Sequence, residues 1–313
     1  MWEIATKQSK KHRTVFMGKQ KILALLAAFG ATLIYGLNHT IAKVLMPDYI
    51  GAYGFIMLRL LGAGLLFWMI SPLGPKEKIQ AEDYPRLFFS SLLGMCINML
   101  MFFKGLELST PINSGVIITI TPIMVLLLSY FFLNESIGWR KTMGILLGFS
   151  GALGLTLFGA ESQQNAPNIP LGNALFLINS SSYAAYLILV KPLTQKYHSI
   201  TLMKWSFLIG LLLSSPVTFG EFLAVKWDSL PFDVIWRMGF VVVGTSFLTY
   251  LFNVYSLKTL SPTTVGAFIY FQPLIAILYA LFSENDSLDG IKIAGTLCIL
   301  TGVYLVTKKR SPK

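Results

Sequence analysis

Long apolar runs separated by short polar breaks recur along the whole chain. A hydrocarbon core about 30 Å thick needs about 20 apolar residues in helical form. Ten such runs can be drawn, at 22–46, 52–72, 86–104, 110–133, 139–159, 171–191, 201–220, 235–258, 262–283 and 289–307. The pattern predicts an all-α integral membrane protein of ten transmembrane helices. No break is long enough to fold alone. The longest, a Pro/Asn/Gln-rich stretch from Ala160 to Pro170, falls at the midpoint of the membrane region. The expected organisation is a basic tail (1–21), a first five-helix unit (22–159), a linker (160–170), a second five-helix unit (171–307) and a short basic tail (308–313).

Composition agrees with the pattern. Of 313 residues, 54% are hydrophobic and 12% charged, and the mean hydropathy is +0.65. An ordinary soluble domain carries about a quarter charged residues, so a soluble globular protein is excluded. The net charge of +11 would suggest nucleic acid in a soluble chain, but here the cations cluster at the ends of apolar runs. With the N-terminus in the cytoplasm, only Lys104, Lys226, Arg237 and Lys292 lie on the opposite side, and Lys43 and Arg59 lie within spans. The remaining 19 of the 25 Lys and Arg are cytoplasmic. This bias predicts both termini inside, at the cytoplasmic membrane. The charge is thus a topology mark, and nucleic acid is not an expected partner. Cys96 and Cys298 both sit inside runs, which leaves no disulfide framework or zinc knuckle.

A constant offset of 151 reveals a duplication. It pairs Pro111 with Pro262, Gly115 with Gly266, Pro122 with Pro273, Asn134 with Asn285, Gly144 with Gly295 and Gly151 with Gly302, among 14 identities in 52 gapless positions. An offset of 148 pairs Tyr35 with Tyr183, Lys43 with Lys191 and Gly62 with Gly210. Five helices per copy is an odd number, so the second copy starts on the opposite side of the membrane and the repeats are inverted. Inverted repeats supply two conformations related by exchanging the halves, the structural requirement for alternating access.

The paired Pro-x-x-x-Gly-x-x-x-x-x-x-Pro pattern, with Asn134-Glu135-Ser136, Gly144 to Gly151, Arg59 in Met57-Leu58-Arg59-Leu60, and Lys43, resembles the drug/metabolite transporter superfamily, EamA branch. The resemblance spans about Ile22 to Thr307. It implies ten helices in two inverted halves, export of small metabolites, and a central cavity lined by helices one, three, four, six, eight and nine. It names no substrate. One departure is that Glu135 pairs by offset with Asp286 while Glu284 lies two residues early.

Polar positions inside spans are the candidate pathway, because polar groups in hydrocarbon must face the bundle interior or water. Helix one carries Tyr35, Asn38 and His39 on one stripe. Asn98 lies in helix three, Tyr183 and Tyr186 with Asn179 in helix six, and Thr249 and Asn253 with Thr245 in helix eight. Thr119 and Thr121 flank Pro122, and Tyr270 and Gln272 flank Pro273. Periodicity does not separate substrate contact from interhelical hydrogen bonding. Pro122 and Pro273, with Gly115 and Gly266, form candidate gate or kink positions, since a mid-span proline frees a backbone carbonyl. Lys43 and Arg59 are candidate charge partners, Lys43 by snorkelling and Arg59 by pairing with a structural partner or an anionic substrate group. Gly144, Gly148 and Gly151 read as a close-packing face.

The expected function is secondary export of a small polar or amphipathic metabolite, an amino acid or related compound, by alternating access. An uncoupled facilitator and a multidrug-type exporter stand beside it. No acidic residue lies mid-span, which weakens carboxylate-based proton antiport and leaves His39 as the candidate coupling group. An intramembrane enzyme is the alternative from another class, but no HExxH, paired intramembrane aspartates or nucleotide loop is present. No cofactor or metal is expected. The chain is read as a monomer or homodimer.

Overall fold

The computed structural model describes residues 2–43, 45–109, 111–158, 167–282 and 290–308. Side chains are described except at 2–18, 39, 40, 43, 111, 112, 116, 155–158, 276, 277, 279–282, 291 and 292. The helices of the first half are α1 (Trp2–Lys43), α2 (Ala52–Ile70), α3 (Tyr84–Ser91), α4 (Asn98–Leu108), α5 (Pro111–Ile118), α6 (Thr121–Leu133) and α7 (Trp139–Phe158). Those of the second half are α8 (Ile169–Lys196), α9 (Ser199–Leu223), α10 (Phe232–Phe240), α11 (Thr249–Thr259), α12 (Pro262–Ala267), α13 (Phe271–Phe282) and α14 (Gly290–Thr307). No strand occurs among the described residues. The structure contains six long apolar spans, at Lys19–Asn38, Ala52–Leu73, Ala81–Leu108, Ile169–Lys196, Ser199–Leu223 and Phe232–Thr259, together with shorter apolar helices.

Two elements break regular helical geometry at matching places. Leu92–Ile97 joins α3 to α4 as a π segment, and Val241–Leu248 joins α10 to α11 in the same way. A π turn widens the helix and displaces its hydrogen-bond ladder. Side chains from neighbouring helices take up carbonyls there: Ser182 Oγ donates to Leu93 O at 2.6 Å and Tyr250 OH to Gly94 O at 3.1 Å. The prolines act likewise in pairs. Pro122 opens α6 after an interruption at Thr119–Ile120, and Pro273 follows the 3-10 turn Phe268–Tyr270. Each expected mid-span kink is therefore a break in the helix lying on the N-terminal side of its proline, the side on which the ring disturbs the preceding turn.

Packing between the halves follows the duplication. α1 packs on α11 and α13, while α8 packs on α4 and α6; α2 meets α9, and α7 meets α14. Exchanging the halves maps this set of contacts onto itself. The glycines show it at atomic scale. A Cβ on Gly144 would stand 2.6 Å from Gly302 O, and one on Gly151 would stand 2.6 Å from Gly295 O. By the 151 offset these two crossings are images of each other. The close-packing glycine face is thus used within the chain, against α14, and Gly148 accepts the ring of Tyr270.

Carboxylates cap the heads of two corresponding helices. Glu221 accepts from the backbone N–H groups of Tyr53 (2.8 Å) and Gly54 (3.0 Å) at the start of α2, and Glu77 accepts from His198 N at 2.8 Å beside the start of α9. Charge on a helix N-terminus is favourable, and these bonds fill donors that the helix leaves open. Glu221→Ala is expected to cost about 1 kcal/mol, read as a lower melting temperature of the protein in detergent; an unchanged melt would show that water replaces the cap.

Candidate functional site

The breaks in α3–α4, α5–α6, α10–α11 and α12–α13 surround one interior cavity. Its wall is made by Thr32, Tyr35 and Asn38 of α1, Asn98 to Phe103 of α4 apart from Leu100 and Met101, and Ile118 and Thr121 at the α5–α6 break. The second half adds Asn179 and Tyr183 of α8, Thr245, Tyr250 and Asn253 around the second π segment, and Val265, Ile269 and Gln272 around the α12–α13 break. Arg59 of α2 completes it, whereas α9, the partner of α2 in the repeat, supplies nothing. The space for centres of water-sized groups is about 90 Å3. A cavity of this volume holds several such groups, the scale of a small metabolite.

The polar wall is a set of hydrogen bonds between helices. Asn98 and Asn179 exchange amide bonds with each other's backbone, Asn179 Nδ2 donating to Asn98 O at 2.8 Å and Asn98 Nδ2 to Asn179 O at 3.4 Å. Asn253 Nδ2 donates to Tyr183 OH at 2.9 Å, and Thr245 Oγ1 donates to Asn38 Oδ1 at 2.9 Å. Each residue therefore both joins two helices and presents a polar edge to the cavity. Interhelical hydrogen bonding is thus seen at residues that also face the cavity.

Of the residues singled out from the sequence, Tyr35, Asn38, Asn98, Thr121, Tyr183, Asn253, Gln272 and Arg59 line the cavity. Thr119, Tyr186, Thr249 and Tyr270 do not. Thr249 turns back to Gly244 O at 3.0 Å, a five-residue step. The cause is the π segment, which slips the phase of a stripe drawn at helical spacing. Tyr186 packs between Tyr183 and Tyr250, with ring centroids 5.7 and 6.3 Å away. Its hydroxyl finds no partner among the described residues, like that of Tyr270. Gly266 packs on Val125, whose nearest atoms would stand 3.3 Å from an added Cβ, and Gly115 is half-buried on α5. The side chains of His39 and Lys43 lie outside the described residues, as do Glu284, Asp286 and residues 159–166 of the linker.

Ile118 and Ile269 share the helical faces of the paired Pro and Gly gate positions and line the cavity, whereas Thr32, Met99, Phe102, Phe103, Tyr250 and Val265 were not singled out. Most are apolar or aromatic, and nothing in an apolar run marks one such residue as facing a cavity. Ser246 was not singled out either, and like Thr249 it lies in or beside the second π segment. It accepts from Arg59 Nε at 2.8 Å and itself bonds Val241 O, five residues back.

The two ends of the cavity differ. At one end α12 packs against α6, with Gly266 on Val125, and Glu135 joins the helices by accepting from Thr263 Oγ1 at 3.0 Å while pairing with Lys141. Lys191 Nζ lies at this end too, donating to Leu257 O in the last turn of α11 and to Leu260 O just after it. The pair related by half-exchange, α5 and α13, makes no comparable contact among the described residues.

A helical bundle of this kind, apolar outside, cross-paired between two halves and hollow at the centre, is that of an integral membrane transporter. The sequence model of the EamA-like transporter family matches twice, over residues 22–157 and 170–308, and the chain belongs to this family. It is 27% identical over 301 residues to the uncharacterized transporter YetK of Bacillus subtilis, covering 94% of this chain and 90% of that one. An uncharacterized transporter of Archaeoglobus fulgidus is 26% identical over 294 residues, covering 94% and 100%. A WAT1-related protein of Arabidopsis thaliana is 24% identical over 298 residues, covering 86% and 75%. A solved crystal structure shares the fold with a TM-score of 0.73 at 15% identity, over 90% of this chain and 95% of that one.

Proposed function

We propose that the protein is a ten-helix secondary transporter, built from two inverted five-helix repeats, that exports a small metabolite by alternating access. Both termini lie in the cytoplasm of this reading, and the units are 22–159 and 171–307 joined by 160–170. The observation that carries it is the cavity at the meeting point of four paired helix breaks, with α12 packed on α6 at one end. In this topology the Glu135 end is cytoplasmic, and the conformation is outward-facing. Exchange of the halves would open it and bring α5 onto α13. Uncoupled facilitation is the second reading, favoured by the absence of Asp and Glu from the cavity wall among the described residues.

The test is counterflow of amino acids and small metabolites by purified protein in liposomes, with and without a pH gradient. Saturable exchange of at least one solute class is expected, and a blank across the panel would overturn the reading. A gradient that changes the accumulated level identifies coupling; one that does not identifies facilitation.

Glu135→Gln tests the closed end. The change keeps an acceptor for Thr263 but removes the charge pair, worth about 1 kcal/mol for a half-buried contact, or about five-fold in an equilibrium. A reporter thiol, Val265→Cys in a chain also carrying Cys96→Ser and Cys298→Ser, should then react about five-fold faster with reagent applied from the cytoplasmic side. An unchanged rate would show that this end is not the moving gate.

A further inference from the structure

Arg59 is the one cation in the cavity wall among the described residues, and it is only 4% exposed. Its Nε donates to Ser246 Oγ, and its guanidinium carbon stands 4.9 Å from the centre of the Phe103 ring. Both partners are neutral. None of the ion pairs among the described residues includes Arg59, and no hydrogen bond of the guanidinium tip to a protein acceptor is seen there. A charge at this depth without a counter-ion is costly in a membrane protein, and a guanidinium presents a flat fork that matches a carboxylate in bidentate fashion.

The fold does not require a cation at this place. The 148 offset puts Phe207 at the same position of the second repeat. There the ring packs edge-on against Tyr250 with centroids 5.3 Å apart, as the Arg59 guanidinium lies over Phe103. Phenylalanine therefore fills the position on the side that has no cavity-lining role, and arginine fills it on the side that opens into the cavity.

The rest of the wall limits the remainder of the ligand. It contains no Asp or Glu to receive an ammonium group, and no second cation for a phosphate dianion, among the described residues. Met99, Phe102, Phe103, Ile118, Val265 and Ile269 offer an apolar surface. Asn38, whose oxygen is taken by Thr245 while its amide N–H groups have no partner among the described residues, offers a neutral donor.

We propose that Arg59 is the carboxylate-binding residue of this cavity and that the carried solute is a small monocarboxylate whose remainder is uncharged and partly apolar, such as a hydroxy acid. The proposal rests on the carrier reading for the word carried, but the binding site stands on its own geometry. A zwitterionic amino acid is disfavoured relative to the hydroxy acid of the same shape, because its ammonium group would enter a wall that already holds an uncompensated positive charge.

Purified protein in detergent is titrated, by calorimetry or thermal shift, with three matched pairs: lactate and lactamide, 2-hydroxy-4-methylpentanoate and its amide, and 3-phenyllactate and its amide, with leucine as the zwitterion. At least one acid is expected to bind ten-fold or more tightly than its amide, and 2-hydroxy-4-methylpentanoate more tightly than leucine. Arg59→Gln should abolish the preference for acid over amide, and Arg59→Lys should restore part of it. If no acid binds better than its amide, or if Arg59→Gln keeps the preference, the proposal is overturned. Should Arg59→Gln fail to fold, the wild-type acid and amide comparison decides alone. Counterflow of the same compounds separates the two readings. Acid binding without any transport removes the carrier reading and leaves the site, whereas transport confined to uncharged solutes removes the site and leaves the carrier.

Discussion

Gly302→Leu is expected to abolish recovery of folded protein. A Cβ at this position would stand 2.5 Å from Gly144 O and 2.7 Å from Gly148 N, so the obstacle is the backbone of α7 on a helix-length interface. Backbone cannot rotate out of the way as a side chain can, and overpacking costs of about 1–3 kcal/mol in ordinary cores are a lower bound here. That is a large part of the about 5–15 kcal/mol that holds a typical protein folded. The measurement is the monodisperse fraction on size exclusion in detergent, with a thermal melt. Gly154→Leu on the facing helix α7 is the control, since nothing lies within 4 Å of an added Cβ there, and it should behave as the native chain does. A folded, native-like Gly302→Leu protein would mean that α7 and α14 are not packed backbone to backbone.

Ile118→Trp should reduce transport by more than ten-fold while leaving the protein folded. Ile118 is half-buried, closes α5 and lines the cavity. An indole there enters a cavity of only about 90 Å3, so it competes directly with solute. Transport at the native rate, from protein with a native melting temperature, would place the pathway elsewhere.

Much of the fold is legible in the sequence because membrane helices obey two strong constraints, length and polarity. The apolar runs locate the helices to within a few residues, and the matched Pro111/Pro262, Pro122/Pro273 and Gly144/Gly295 pairs announce the duplication. α1 is an exception, since it begins at Trp2 instead of at the apolar boundary near Ile22. The candidate site is legible only where a polar group stands out against hydrocarbon, as Tyr35, Asn38, Asn98, Tyr183, Asn253 and Arg59 do. Two kinds of residue escape. Met99, Phe103, Tyr250 and Val265 look like any core or lipid-facing side chain until the cavity is seen. Thr249 is misplaced by the π segment, whose extra residue per turn leaves no mark in composition. Glu77 and Glu221 escape because their targets are backbone N–H groups more than 100 residues away.

The crossings of Gly144 with Gly302 and of Gly151 with Gly295 become each other when the halves change roles. In the alternating-access reading proposed above, these two backbone crossings are present in both arrangements of the bundle and act as its bearing. The energetic difference between the two arrangements then falls on contacts that do not map onto themselves, foremost Glu135 with Thr263, and on positions where the copies differ in charge, Arg59 against Phe207 among them. Sequence changes at these few places can bias the resting arrangement without weakening the frame on which it turns.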